Sequence, residues 1–285
     1  MNSRVKYLEE REGNVSPLMI PQYHRIMAKE SGESSVSVLS QRMMCVDIIV
    51  FLCTKTKEFD TTIFAAVRLF DRCMSAMTSY FSNNCLLFTA LGCFNIVHKS
   101  LLDGTNGDLM PTMEQYYQHV FLRYNYDIYL TLDVFKSTLF KTEVYILNMV
   151  KEGPVYPAAQ DYLAECFSLW FAPPSPKSDI LYEEFRMQGR RASLLCTAFL
   201  YTIESAEYTA EQIAATAARL TIGQHNAPSP EMEQLCKKVN GKMADKIGEM
   251  MLEEVEYLFA AGNESMLYYF YNDLYKVWSK KTTQM

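Results

Sequence analysis

Positive charge is scarce in this chain of 285 residues: lysine and arginine number 27 against 33 aspartate and glutamate, the formal net charge is -6, and no basic run exceeds two residues. A nucleic-acid partner calls for a clustered cationic footprint, so direct DNA or RNA binding is not expected. Long apolar spans are missing too. The longest apolar stretch, Cys85 to Val97, contains Thr89 and Asn95 and is too short to cross a bilayer, and the opening MNSRVKYLEEREGN has no apolar signal core. No membrane partner is expected, and the chain reads as soluble and intracellular. Its eight cysteines, at 45, 53, 73, 85, 93, 166, 196 and 236, include no CxxC pair. All lie in apolar helical patterns and read as buried small hydrophobes in a reducing compartment.

Patterns that carry chemistry are equally sparse. His24, His98, His119 and His225 form no HxxxH or Cys/His arrangement, so no metal site is expected. GxSxG, Walker A and GxGxxG sequences are absent, and no cofactor is expected. DGTNGD, Asp103 to Asp108, lacks the alternating ligands and closing glutamate of a calcium loop and reads as a tight turn. Glu9, Glu10 and Glu12 read as a solvated helix face. Arg191 in RASLL falls inside an expected helix, and His98 reads as a partly exposed helix residue beside Lys99.

What is present is helical periodicity. Alternation with period two is nearly absent, whereas i, i+3, i+4 spacing recurs throughout, so the chain is expected to be all-α. With 49% apolar residues it is long enough to fill two cores of ordinary size. Helices are expected from Val38 to Lys55, after an N-cap at Asp60, from Asn84 to Lys99, around Met113 to Leu122, and from a cap at Asp133 to Val150. The third is apolar on every side and should be central. Gly153, Pro154 and Pro157 then break the pattern. Further helices are expected at Ala158 to Phe171, Leu181 to Glu204, Ala210 to Ile222 and Met232 to Ala260, with the alanine-rich 211–223 segment central. This gives an N-terminal helix and linker (1–37), two helical repeats of about five helices (38–153 and 154–265) and a C-terminal aromatic helix (266–285) that packs back on its own domain.

Isolated charges inside apolar helices narrow the reading. RMMCVDIIVFLC and FAAVRLFDRCMS are apolar helical runs interrupted by isolated charges, so Arg42, Asp47 and Asp71 must sit at helix ends or find partners, because an unpaired buried charge is expensive. Arg42 with Asp71 is the economical pairing, and Asp47 reads as a surface or capping residue. In the last helix of the first half, Phe140, Glu143, Leu147 and Val150 share one face, so a carboxylate interrupts an apolar stripe and needs a donor. A donor brought to it from another helix would make either a simple tie between two helices or, at the surface, part of a protein-docking centre.

Arg42 to Ser75 resembles the opening of the cyclin box, which reads MRxxLVDWL and then LAVNxxDRFLS with its arginine paired to the later aspartate. CFNIVHK is similar to the family's AxxLLASK, and FKTEVYILNMVK to its RMExxILxxL segment, with Pro157 opening the second repeat. The resemblance implies two tandem five-helix cyclin-box repeats in the manner of A- and B-type cyclins. It implies a non-catalytic regulatory subunit, nuclear or cytoplasmic or both, that activates a cyclin-dependent kinase and meets the substrates or inhibitors of that kinase through it. Lys99 and Glu143, with Ser100, Phe140, Ile146 and Leu147, then fall where cyclins grip the kinase αC helix.

The chain also departs from the family pattern. The substrate-docking patch on the first helix is carried by Gln41, Met44, Cys45 and Ile48, with Phe51 in place of the acidic residue, so its aromatic floor and its charge partner for arginine are lost. Ser100 replaces the aromatic residue that follows the lysine. Two other classes compete with the cyclin reading. A cyclin-fold adaptor for a non-kinase protein or transcription complex would show a basic surface. A helical enzyme would show a polar pocket with clustered carboxylates or histidines.

Overall fold

A computed structural model describes residues 35–56, 60–76, 83–101, 114–115, 117–118, 131–150, 157–167, 180–222, 230–260, 265–268, 271–272 and 274–276, and all regular structure among them is helical. The expected N-terminal helix, the Asp103–Asp108 turn, most of the Met113–Leu122 helix and the APPSP loop lie outside these residues. Two compact units part between Tyr156 and Pro157. Among the described residues, no helix is long and apolar enough to cross a membrane.

The first unit contains α1 (Ser35–Thr56), α2 (Asp60–Ala76), α3 (Asn83–Leu101) and α4 (Leu132–Met149). Helix α3 packs against all three of the others, and every residue from Leu86 to His98 is buried. A helix without a polar face reaches water on no side, so it takes the centre. Thr131, not Asp133, caps α4: its side chain accepts a hydrogen bond from the Val134 N–H, which leaves Asp133 in the first turn, where its charge suits the helix dipole.

Arg42 and Asp71 join α1 to α2 through two parallel bonds, Nε to Oδ1 at 2.9 Å and Nη2 to Oδ2 at 2.8 Å. Arg42 is among the largest fully enclosed side chains, while Asp71 and Asp47 are half-buried. Around them the core is apolar, and Cys45, Cys73 and Cys93 sit wholly inside it. Burial pushes the Cys45 thiol from its ordinary 9.0 up to about 12, with Arg42 pulling down and Asp71 pushing up as smaller effects. Burial likewise raises Cys93, helped by its hydrogen-bonded neighbour Cys73. The unfolded chain begins to lose the Cys45 proton near 9.0, while the folded chain holds it to about 12. Stability from this group is therefore fully present below pH 9.0 and falls as pH rises toward 12, by about 1.4 kcal/mol per pH unit for each such thiol. Urea midpoints of wild type should drop more steeply above pH 9.0 than those of Cys45→Ala; equal slopes would contradict this.

Helices α3 and α4 come into close contact at Gly92. A Cβ there would stand 2.9 Å from Ile146 Cδ1 and 3.4 Å from Thr142 Cγ2. Gly92→Val therefore overpacks a sealed contact and is expected to lower the unfolding free energy by about 1–3 kcal/mol, read as a lower urea midpoint at unchanged slope.

The second unit contains α5 (Ala159–Cys166), α6 (Ile180–Phe199), α7 (Ala210–Thr221), α8 (Pro230–Cys236) and α9 (Gly241–Phe259). Helix α7 packs against the other four, and its buried Ala214, Ala215, Ala217 and Ala218 permit close approach. Its start is a capping box: Thr209 Oγ1 accepts from Gln212 N at 3.1 Å, and Gln212 Oε1 accepts from Thr209 N at 3.0 Å. Two expected helices are shorter than their apolar patterns. Helix α6 stops at Phe199, and Thr202 caps a following 3-10 turn, Ile203–Glu207. The expected helix from Met232 to Ala260 is two helices, because Asn240 Oδ1 accepts from Met243 N at 2.9 Å and starts α9 afresh. In the aromatic tail Tyr271 and Leu274 are buried, and Phe259 at the end of α9 stacks on Tyr275 at 4.4 Å.

Candidate functional site

Three residues of α3, Gly92, Asn95 and Lys99, recur at i, i+3 and i+7 and so line one face. That face meets Thr142, Glu143 and Ile146 of α4. At Gly92 the two backbones draw together, which brings Glu143 within reach of the next two polar side chains along α3. Asn95 Nδ2 donates to Glu143 Oε1 at 2.5 Å, and Lys99 Nζ donates to Oε1 at 3.2 Å and to Oε2 at 2.9 Å. Asn95 is fully enclosed, the Glu143 side chain is 12% exposed, and that of Lys99 is 45% exposed. The carboxylate is thus held from the interior by an amide and from the solvent side by an ammonium.

Beside this pair runs a stripe of exposed apolar side chains. Of eight exposed large apolar side chains among the described residues, five belong to α4: Val134, Phe140, Val144, Tyr145 and Leu147. Phe140, Val144 and Leu147 recur at i, i+4 and i+7 and form one surface row, with Phe140 67% exposed. Clustered exposed apolar groups of this kind mark interaction surfaces. The chemistry on offer is an apolar ridge with a fixed cation at its margin, and an ammonium carries three donors, of which the carboxylate oxygens take two. The ridge continues toward Lys136, which is bonded to Glu114 at 2.7 Å.

The structure sorts the expected site residues. Lys99 and Glu143 meet, and Phe140 and Leu147 are exposed beside them. Ile146 is not part of this surface: it is wholly buried against α3, because one residue's rotation of about 100° from Leu147 carries it to the core side. Ser100 is exposed, but its hydroxyl donates to its own helix at Ile96 O, 2.7 Å away. His98 is not partly exposed as expected but fully buried, stacked on Phe94 at 5.4 Å. On α1, Cys45, Ile48 and Phe51 belong to the core, and only Gln41 and Met44 are half-buried. These five therefore form no accessible patch, because Cys45, Ile48 and Phe51 recur at i, i+3 and i+6 and face inward.

Asn95, Gly92 and Val144 were not expected at the site. A signal existed for Asn95: an amide one turn before a lysine in an otherwise apolar helix needs a buried partner.

No protein-family model matches this chain, and no curated protein matches it. Among solved structures, it is similar to the X-ray structure of a viral cyclin from herpesvirus saimiri, with a TM-score of 0.54 and 15% sequence identity over 81% of this chain and 88% of that one. The chain has the cyclin fold. At this identity the likeness speaks for the fold alone, with which the all-helical regular structure of the described residues agrees.

Proposed function

We propose that this chain is a regulatory subunit, divergent from but closest in plan to A- and B-type cyclins, that binds and activates a cyclin-dependent protein kinase in cell-cycle control. It catalyses nothing itself and uses no cofactor. The observation that carries the reading is the row Phe140, Val144 and Leu147, exposed on α4 at the edge of the Lys99–Glu143 pair. An apolar row beside a fixed donor suits the flank of a partner helix and the carbonyl groups at its end. In a kinase that helix is αC. Pressing it inward completes the kinase's own lysine–glutamate pair and helps order its activation loop. Selective affinity for the active arrangement makes the subunit a switch.

The test is to mix the purified chain with a panel of cyclin-dependent kinases and measure complex formation and phosphoryl transfer to a protein substrate. At least one kinase is expected to form a stable complex and gain activity. Binding without activation would point instead to an adaptor, and no binding across the panel would remove the kinase reading.

A further inference from the structure

The docking reading, on which this inference rests, leaves open what each member of the charged pair does. Glu143 is 12% exposed, and its two carboxylate oxygens accept three hydrogen bonds from Asn95 and Lys99 within the chain. A carboxylate so occupied has little capacity left for donors of a partner. Asn95 has no outward face at all. Lys99, nearly half exposed, is the member that reaches solvent.

We infer that Asn95 is a positioning residue for Lys99, acting through Glu143, so that the ammonium is held in place for the hydrogen-bond acceptors of the partner. Asn95 fixes the carboxylate from inside the helix pair, and the carboxylate in turn fixes the ammonium. A free lysine side chain samples many rotamers, and ordering it on binding weakens affinity. Here the carboxylate holds the ammonium before the partner arrives, which is preorganisation. Asn95 and Lys99 can share one acceptor because they stand at i and i+4 on α3, and the close approach at Gly92 places the acceptor between them.

Asn95→Asp distinguishes positioning from mere packing. It keeps the shape but sets a second carboxyl against Glu143, in place of the amide bonded to it, and two such groups resist ionising together. They share a proton at low pH and lose it as pH rises, whereupon repulsion displaces Glu143 and Lys99 loses its anchor. Among the described residues of these two helices, the titratable groups nearby are Lys99 and His98 on α3 and Glu143 on α4. His98 is common to both proteins, so wild type is the control.

Affinity for the kinase from the panel that binds wild type most tightly is measured between about pH 5.5 and 8.5, counting only folded protein. Asn95→Asp is expected to bind almost as wild type at the acid end and about tenfold more weakly at the alkaline end relative to wild type. Glu143→Gln, which keeps an acceptor for Asn95, is expected to weaken binding about tenfold, and Lys99→Met about a hundredfold. Should Asn95→Asp fail to fold, Asn95→Ala at one pH decides: about tenfold weaker binding agrees with positioning. Wild-type affinity in the Asn95 variants alongside loss in Lys99→Met overturns this inference while leaving the docking site intact. Wild-type affinity in Lys99→Met overturns the docking site itself.

Discussion

Arg42→Ala is expected to lower the unfolding free energy by about 3–5 kcal/mol, the range found when one member of a buried ion pair is removed. The size follows from what is left behind. Arg42 is 2% exposed and Asp71 13%, so removing the guanidinium leaves a carboxylate that has lost two short bonds at 2.9 and 2.8 Å and has only a narrow opening to water. Arg42 is also among the largest fully buried side chains, and truncation opens a cavity between α1 and α2. Urea unfolding followed by circular dichroism measures the loss. The companion double variant Arg42→Met/Asp71→Leu removes both charges while keeping the volume and should recover most of it, because the penalty lies in the stranded charge more than in the missing attraction. If the double variant is no more stable than the single, packing and not charge sets the cost.

Lys99→Glu is expected to abolish measurable kinase binding, a loss of at least about a hundredfold, or about 2.7 kcal/mol. The change faces Glu143 with a like charge where it had bonds at 2.9 and 3.2 Å, and replaces the outward donor with an acceptor. Folding should suffer far less, because the Lys99 side chain is 45% exposed and water screens the altered charge. Phe140→Ala separates the two effects further. At 67% exposure its ring contributes little to the folded chain alone, whereas a central aromatic group covered by a partner typically carries about 2 kcal/mol of binding. Thermal unfolding and binding measured on the same preparations check both. Unchanged affinity in both variants would place any kinase contact elsewhere.

The legible parts of this protein are those where one residue type had few options. An arginine and an aspartate in neighbouring apolar runs had to neutralise each other, and Arg42 and Asp71 do so. A helix apolar on all sides had to be enclosed, and α3 is. Helix ends were less legible. The apolar pattern of 232–260 runs through the Asn240 cap, since periodicity reports a face and is blind to a local side-chain bond that restarts the helix. The first-helix patch came from the family resemblance, and its Cys45, Ile48 and Phe51 lie buried: their chemistry suits a shallow groove or a core, and only packing distinguishes the two.

By itself, then, the sequence determined the helical class, the central helix of the first unit and the pairing of its buried charges, because each follows from local periodicity or from the cost of an unpaired charge. Only the tertiary structure decided that Leu147 faces water while its neighbour Ile146 is sealed, and that Asn95 is the interior hold on Glu143. Both depend on how far α4 is turned about its axis and on how closely Gly92 lets it approach α3. Those are properties of two distant segments packed together, set by the shape of the contact and by no pattern within either segment.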